Sequence, residues 1–385
     1  MLRDLSRRPV LISALPDDLN RSAADAHVVI DWDHDEVETL ALQLAHREIE
    51  PVGVVTFVDS LAGWRAAIVA HYALPGGSGG AAVLADKAEL RAALTAAGLS
   101  TVAHWSGTPT TLDVSVVDRY PVVAKPAVDS GGSRYGITAA DAKALRAALR
   151  ALAAGLGEHA RVLVEEYVTG AEFSIDGAVI SGAFHDLLVF DKPAFDYARN
   201  QEGGMLVTPP QRAQVAASVA SVVDTVSRLA RSVSLDDTWL HVEARVRADG
   251  STELIEVNVR PGGGLYRTAI RRACGVDAHE VFVRLSIGCA ASDELLPTRD
   301  DTSLMGLNIL KVPSSSEVVA AATREELLLV PGVVDAFVFP HNPSRVPWED
   351  TPIAHILMSA DTLGALHEVE GTALGALRLT TSDPA

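Results

Sequence analysis

Two alternating segments, HVEARV (241–246) and ELIEVNV (253–259), hold the densest set of residues able to do chemistry. Between them runs Arg247-Ala248-Asp249-Gly250-Ser251, and Asp-Gly between alternating runs signals a hairpin. A two-residue turn at Asp249-Gly250 sets Glu243 directly opposite Glu256, and His241 opposite Asn258. Period two then puts His241, Glu243, Glu256, Asn258 and Arg260 on one face, and Val242, Ala244, Ile255, Val257 and Val259 on the other. Like charges placed opposite each other destabilise a strand pair unless something compensates. One compensation is a solvated surface with Arg245 nearby. The other is a divalent cation bridging Glu243 and Glu256, with the Asn258 amide oxygen as a neutral ligand. An all-oxygen set suits Mg2+, which completes its shell with phosphate oxygens and water. Arg260 beside such a site suits a phosphoryl or carboxylate oxygen. A metal next to a phosphate-binding arginine asks for a nucleotide.

Further nucleotide contacts lie upstream. The chain has five lysines, and Lys125 interrupts an apolar strand, YPVVAKP, where a solvated lysine is unexpected unless it snorkels from an edge. The following loop contains Ser130-Gly131-Gly132-Ser133, and glycine lets backbone N–H groups approach phosphate oxygens closely. There is no GxxxxGK[ST] sequence. The ordered set of lysine strand, glycine loop and distant Glu…Glu-x-Asn hairpin is more specific than any one of its parts.

The elements that must position these groups alternate in type. His27–Asp31 and Val52–Val58 read as buried strands flanking a helix at Glu36–His46, with a second helix at Ala62–Tyr72. That alternation predicts a small parallel α/β unit. Asp31, Asp33, Asp35 and Glu36 are either a metal cluster or a strand end before a helix N-terminus, where carboxylates suit the dipole. Gly76–Gly80 reads as a linker. Beyond it we expect helices at Asp86–Ala97, Ala139–Ala154 and Gln211–Ser232, strands at Tyr120–Lys125 and Arg161–Val168, and a hairpin turned at Asp176-Gly177. With 385 residues several cores are expected. A net charge of −18 argues against a nucleic-acid or membrane-surface partner. Two cysteines, Cys274 and Cys289, suit free thiols in a reducing compartment. Without a signal-peptide pattern or a long apolar span, the expectation is a cytoplasmic protein.

The ordered set resembles the ATP-grasp superfamily, and within it the carboxylate–amine ligases of the amino-acid (dipeptide) ligase type. The resemblance runs through about Thr56–Gly288, by way of TFVDSLAGWRAAIVAHYALPG, LADKAELRAALTAAGLS, YPVVAKP, the Gly-Gly-Ser loop, LVEEYVTGAEFSIDG, FDKP, HVEARV and ELIEVNVRPGGG. It implies an α/β fold with α+β elements: a parallel α/β pre-ATP domain at 1–84, a central ATP-grasp subdomain at 85–166, and a C-terminal domain at 167–385 with a small β-rich extension from about 305. Carried over, Lys87 and Lys125 touch ATP phosphates. Glu165, Glu166, Tyr167 and Val168 form the hinge whose backbone reads adenine, and Glu172 meets the ribose. Glu243, Glu256 and Asn258 hold one or two Mg2+ ions, for which Mn2+ can substitute, and Arg260 stabilises the transferred phosphate.

The implied reaction is phosphorylation of a carboxylate, then attack of an amine on the acyl phosphate, releasing ADP and phosphate. Gly262 and Gly263 in the loop after the metal strand are candidates to cradle the acceptor. Arg267 and Arg271 share a helix face that either binds a carboxylate or is simply solvated. Lys192 and His241 complete the candidate substrate residues, although a strand histidine also serves structure alone. Competing expectations keep the fold but change the nucleophile, as in carboxylases or carboxylate–thiol ligases, or retain ATP binding without catalysis. A homodimer is the base-rate expectation for a soluble oligomer.

Overall fold

The computed structural model describes residues 2–3, 5–76, 78–128, 135–192, 195–196, 201–289, 304–313, 317–339 and 350–382. Strand β1 (Val10–Ser13) pairs in parallel with β2 (Ala26–Val29), and helices α1 (Val37–Ala45) and α2 (Ala62–Tyr72) cover them. Val28, Ile30, Leu40, Leu44, Ile68 and Val69 form the core of this unit. The run Val52–Val58 is not a strand. Its backbone and side chains are used elsewhere: the Val54 carbonyl accepts from Arg65 Nε at 3.3 Å, and Phe57 packs edge-on against Phe282. The run therefore crosses toward a later helix instead of extending the sheet. The acidic stretch at the end of β2 is a turn, in which Asp31 and Asp35 carboxylates accept from the N–H groups of Asp33 and Asp31.

The glycine-rich stretch expected as a linker leads directly into helix α3 (Ser78–Ala85). A Cβ on Gly80 would stand 2.9 Å from Leu235 Cα, so the glycine permits close helix packing rather than slack. Helix α4 (Lys87–Ala96) follows, capped by Asp86, whose carboxylate accepts from Ala88 N and Glu89 N. Strands β3 (His104–Gly107), β4 (Val122–Pro126), β5 (Ile137–Ala139) and β6 (Val162–Glu166) form an antiparallel sheet in the order β3-β6-β4-β5. Helix α5 (Ala142–Leu156) lays Leu145, Leu149 and Leu152 on it.

The largest element is an eight-stranded antiparallel sheet. It uses β7 (Ala171–Ile180), β8 (Ala183–Lys192), β11 (Leu206–Thr208), β12 (Thr238–Val246), β13 (Thr252–Asn258), β14 (Leu304–Pro313), β16 (Val333–Val338) and β17 (Asp350–Ala360). The short strands β9 (Phe195–Asp196) and β10 (Gln201–Glu202) pair with each other, as do β15 (Glu317–Ala320) and β18 (Thr380–Ser382). The sheet order is β13-β12-β7-β8-β11-β14-β17-β16. Helix α6 (Ala213–Ser232) packs Val222, Val226 and Leu229 on the face that carries Phe173, Ile175 and Val242. Helices α7 (Tyr266–Cys274) and α8 (Ala278–Ser286) cover part of the other face around Trp239 and Phe190.

Two expectations change here. The β7–β8 hairpin turns at Ser181-Gly182, both with positive φ (51° and 75°), whereas Asp176 lies inside β7 beside a register shift. The chain from about 305 is not an appended extension, because β14, β17 and β16 continue the same sheet beyond β11. Among the described residues no helix is long and apolar enough to cross a membrane. Cys274 and Cys289 are unlinked.

Candidate active site

The site face of the large sheet is set by alternation along β12. Leu240, Val242, Ala244 and Val246 enter the core with α6, which turns His241, Glu243 and Arg245 to the opposite side. In the pairing of β12 with β13, Glu243 stands opposite Glu256 and His241 opposite Asn258. The turn is longer than two residues: Arg247 N donates to Ser251 O at 2.8 Å, leaving Ala248–Gly250 as the loop. That shifts the inner register by one residue, and Arg245 pairs with Glu253. A bulge between Glu243 and Ala244 shifts it back, so the carboxylates still meet. The bulge also exchanges two neighbours. Leu254, not Ile255, enters the core, and Glu253 turns to accept from Ser100 Oγ at 2.7 Å.

The opposed glutamates are compensated by cations. Lys192, from the end of β8, reaches Glu243 at 2.9 Å and Glu172 at 3.2 Å, and its side chain is 1% exposed. Arg245 is buried rather than solvated. It donates Nε to Glu172 Oε2 at 2.8 Å and Nη1 to the Val168 carbonyl at 2.6 Å, with its guanidinium over the Tyr167 ring. His241 Nδ1 contacts Asp176 Oδ2 at 2.6 Å and its Nε2 lies 3.5 Å from Glu243. Burial alone would lower the imidazole, but Asp176 and Glu243 outweigh it and raise it to about 9. Burial likewise opposes ionisation of Glu243, yet Lys192 and His241 hold its carboxyl well below the usual range. Glu172 is thus engaged by Lys192 and Arg245, on the same face as Glu243.

Across the cleft, Lys87 opens α4 and its Nζ lies 3.4 Å from Glu256 Oε1. Lys125, on β4, reaches the buried Glu165 carboxylate at 2.5 Å, and Arg91 Nε donates to the other oxygen at 2.9 Å. Burial pushes Glu165 up, but Arg91 and Lys125 bring it down to about 2. Its side chain is therefore the counter-ion of Lys125. Next along the chain, Glu166 N donates to Ala103 O at 2.8 Å and Tyr167 N to Pro121 O at 2.9 Å. Glu166's carboxylate accepts from Arg247 Nη2 at 3.1 Å. Arg260 makes a two-pronged pair with Asp59, with Nη2 to Oδ2 at 2.6 Å and Nε to Oδ1. Lys87, Glu256, Asn258, Arg260 and Asp59 line one cleft.

The loop after β13 is tied to the same network. Gly262 N donates to Asp176 Oδ1 at 2.7 Å, and Trp239 Nε1 donates to that same oxygen at 3.1 Å. A Cβ on Gly262 would come within 2.5 Å of the Tyr266 ring, whereas Gly263 faces open space. Arg267 pairs with Asp277, the cap of α8, and Arg271 is exposed on the same helix; among the described residues nothing joins either to the cleft. Ser130, Gly131, Gly132 and Ser133 lie outside the described residues. Asp59, Arg91 and Asp176 are parts of the site that sequence reasoning missed. Each is a lone charged residue far along the chain from its partner, and only the apolar setting of Asp176 in SIDGAV gave a signal.

Among the described residues no group of three or more His, Cys, Asp and Glu side chains forms a ready metal site. Two part-buried carboxylates directly opposed, with an amide oxygen two residues on, nevertheless fit a hard cation that shares its shell with phosphate.

This mixed α/β chain, with its four-stranded and eight-stranded antiparallel sheets, has the ATP-grasp fold, and residues 118–269 match the ATP-grasp domain family. The chain is similar in structure to the L-amino acid ligase from Bacillus licheniformis, with a TM-score of 0.80 and 20% identity over 99% of this chain and 94% of that one. It is also similar to phosphoribosylglycinamide synthetase from Anaerococcus prevotii (TM-score 0.68, 13% identity, 98% and 94% covered). The biotin carboxylase domain of 2-oxoglutarate carboxylase from Hydrogenobacter thermophilus, solved with MgADP and bicarbonate, gives 0.68, with 16% identity and 99% and 87% covered. No curated protein sequence matches the chain.

Proposed function

We propose that the protein is an ATP-dependent ligase that joins a small, amino-acid-like carboxylate to an amine. The observation that carries this reading is the convergence of Lys87, Glu256, Asn258 and Arg260 in one cleft, with Glu243 directly across the strand pair. Binding of adenine alone needs neither opposed carboxylates nor a part-buried arginine beside them.

In this reading Lys87 and Lys125 bind ATP phosphates, the segment Glu165–Val168 borders adenine through its backbone, and Glu172 faces the ribose. Glu243, Glu256 and Asn258 would hold Mg2+, which supplies charge neutralisation at the phosphate oxygens. Arg260, oriented by Asp59, stabilises charge on the transferred phosphoryl group. A carboxylate oxygen attacks the γ-phosphorus and ADP leaves. The amine then attacks the acyl carbon, phosphate departs with the C–O electron pair, and the amine loses a proton. Asp176 holds both His241 and Gly262 N, so it fixes the acceptor loop against the strand pair.

A screen of amino-acid pairs for phosphate release tests the reading. Release that requires ATP, an acid and an amine together supports it. Release that instead requires bicarbonate would favour carboxylation, and formation of AMP with pyrophosphate would sink the acyl-phosphate route.

A further inference from the structure

The strands that complete the large sheet bring a second set of polar groups to the loop Arg260–Gly264. His355 stands within β17, opposite Ile309 of β14 and Phe337 of β16. Its ring lies against Gly264: a Cβ built on that glycine, whose φ is +60°, would run into the imidazole. The His355 Nδ1 atom is buried and has no hydrogen-bond partner among the described residues, a costly state for a polar ring nitrogen. Burial, and then the charge of Lys311, lower this imidazole to about 4, so it is neutral at pH 7. Lys311 sits two residues beyond Ile309 on β14 and is half-buried, and among the described residues nothing pairs with it. Phe339 meets the His355 ring at 5.1 Å between centroids and Phe337 at 4.7 Å, and Phe337 is 47% exposed. Thr268 Oγ1 donates to Asp335 Oδ2 at 3.0 Å, fixing β16 to the helix that follows the loop.

Among the described residues, an imidazole without a partner thus abuts the loop that follows the metal strand, with an ammonium without a counter-ion and an exposed phenyl ring beside that imidazole. Together they suit an acid with an apolar body. We infer that Lys311 and His355 bind the carboxylate of an apolar amino-acid substrate, with Phe337 and Phe339 against its side chain. The reaction this subsite serves rests on the ligase reading above, whereas its binding chemistry does not. Lys311 supplies the charge, and His355 a directed hydrogen bond that discriminates carboxylate geometry.

Calorimetric titration of the full chain with single amino acids, in the presence of Mg2+ and a non-hydrolysable ATP analogue, tests binding without turnover. At least one apolar amino acid binds the unaltered protein. Lys311→Met and His355→Leu each weaken it by about tenfold or more, while His355→Gln keeps affinity within about threefold. Affinity for the analogue stays within about twofold in all three variants. The inference is overturned if no amino acid binds the unaltered protein, if Lys311→Met and His355→Leu bind as it does, or if both lose the analogue as well. Phosphate release separates the two claims. Binding that depends on Lys311 and His355 without acid- and amine-dependent turnover sinks the ligase reading alone. Turnover whose KM values are unchanged in both variants sinks the subsite alone.

Discussion

Glu165→Gln removes a buried carboxylate that faces two cations, Arg91 at 2.9 Å and Lys125 at 2.5 Å. The amide keeps the shape and loses the charge. The glutamate's carboxyl lies at about 2, against an ordinary 4.5. A difference of that size corresponds to about 3 kcal/mol of folding free energy. Because the folded-state value lies below the unfolded one, this contribution is complete above about pH 4.5 and is lost as pH falls toward 2. Two cations left without their partner make the loss at pH 7 about 3–5 kcal/mol. Urea unfolding of both proteins from pH 7 to pH 3 is the assay. The gap in stability is expected to narrow by about 2 kcal/mol over that range, because Glu165 of the unfolded unaltered chain takes up a proton below about pH 4.5 while the folded carboxylate stays ionised, and the glutamine does neither. Parallel stability profiles, or a gap below about 1 kcal/mol at pH 7, would refute the assignment of Glu165 as the shared counter-ion.

Further outcomes follow from the same geometry. Glu256→Gln should abolish ATP-dependent turnover while shifting Tm by only a few degrees, since Glu256 is part-exposed and its ion pair with Lys87 is a long one at 3.4 Å; near-normal turnover would remove Glu256 from the metal site. Gly262→Ala should destabilise the protein by about 1–3 kcal/mol in urea, because its Cβ would meet the Tyr266 ring and lie 3.0 Å from Asp176 Oδ2. An unchanged midpoint would mean that the loop yields. Asp191→Asn should cost about 3–5 kcal/mol, since Asp191 is buried and accepts from Arg212 Nε at 2.7 Å and its backbone N–H at 2.9 Å; a midpoint like that of the unaltered protein would show that the pair is dispensable.

The central hairpin was legible because alternation fixes which residues share a face, and the two glutamates could meet only on the polar one. The turn was read one residue too short, and the bulge beside Glu243 absorbed the difference, which no pattern in the sequence announces. Lys125 stands out in its apolar strand, but its pairing with the Glu165 side chain is not legible, because EEYV offers no sign that its first carboxylate turns inward. The pairing of Arg260 with Asp59 spans most of the chain, and long-range contacts of that kind leave no local trace. Val52–Val58 has strand composition, yet tertiary packing on α8 overrides it. The C-terminal strands looked like an extension because their partner β11 is only three residues long and carries little signal.

The acyl-phosphate route is the central claim, and oxygen transfer tests it most directly. The carboxylate substrate found by the phosphate-release screen is supplied with heavy-oxygen label in its carboxyl group, and the products are examined by mass spectrometry. One labelled oxygen is expected in each phosphate released alongside ADP, because the carboxylate oxygen that attacks the γ-phosphorus leaves with it. Unlabelled phosphate, or label recovered in AMP, would contradict it.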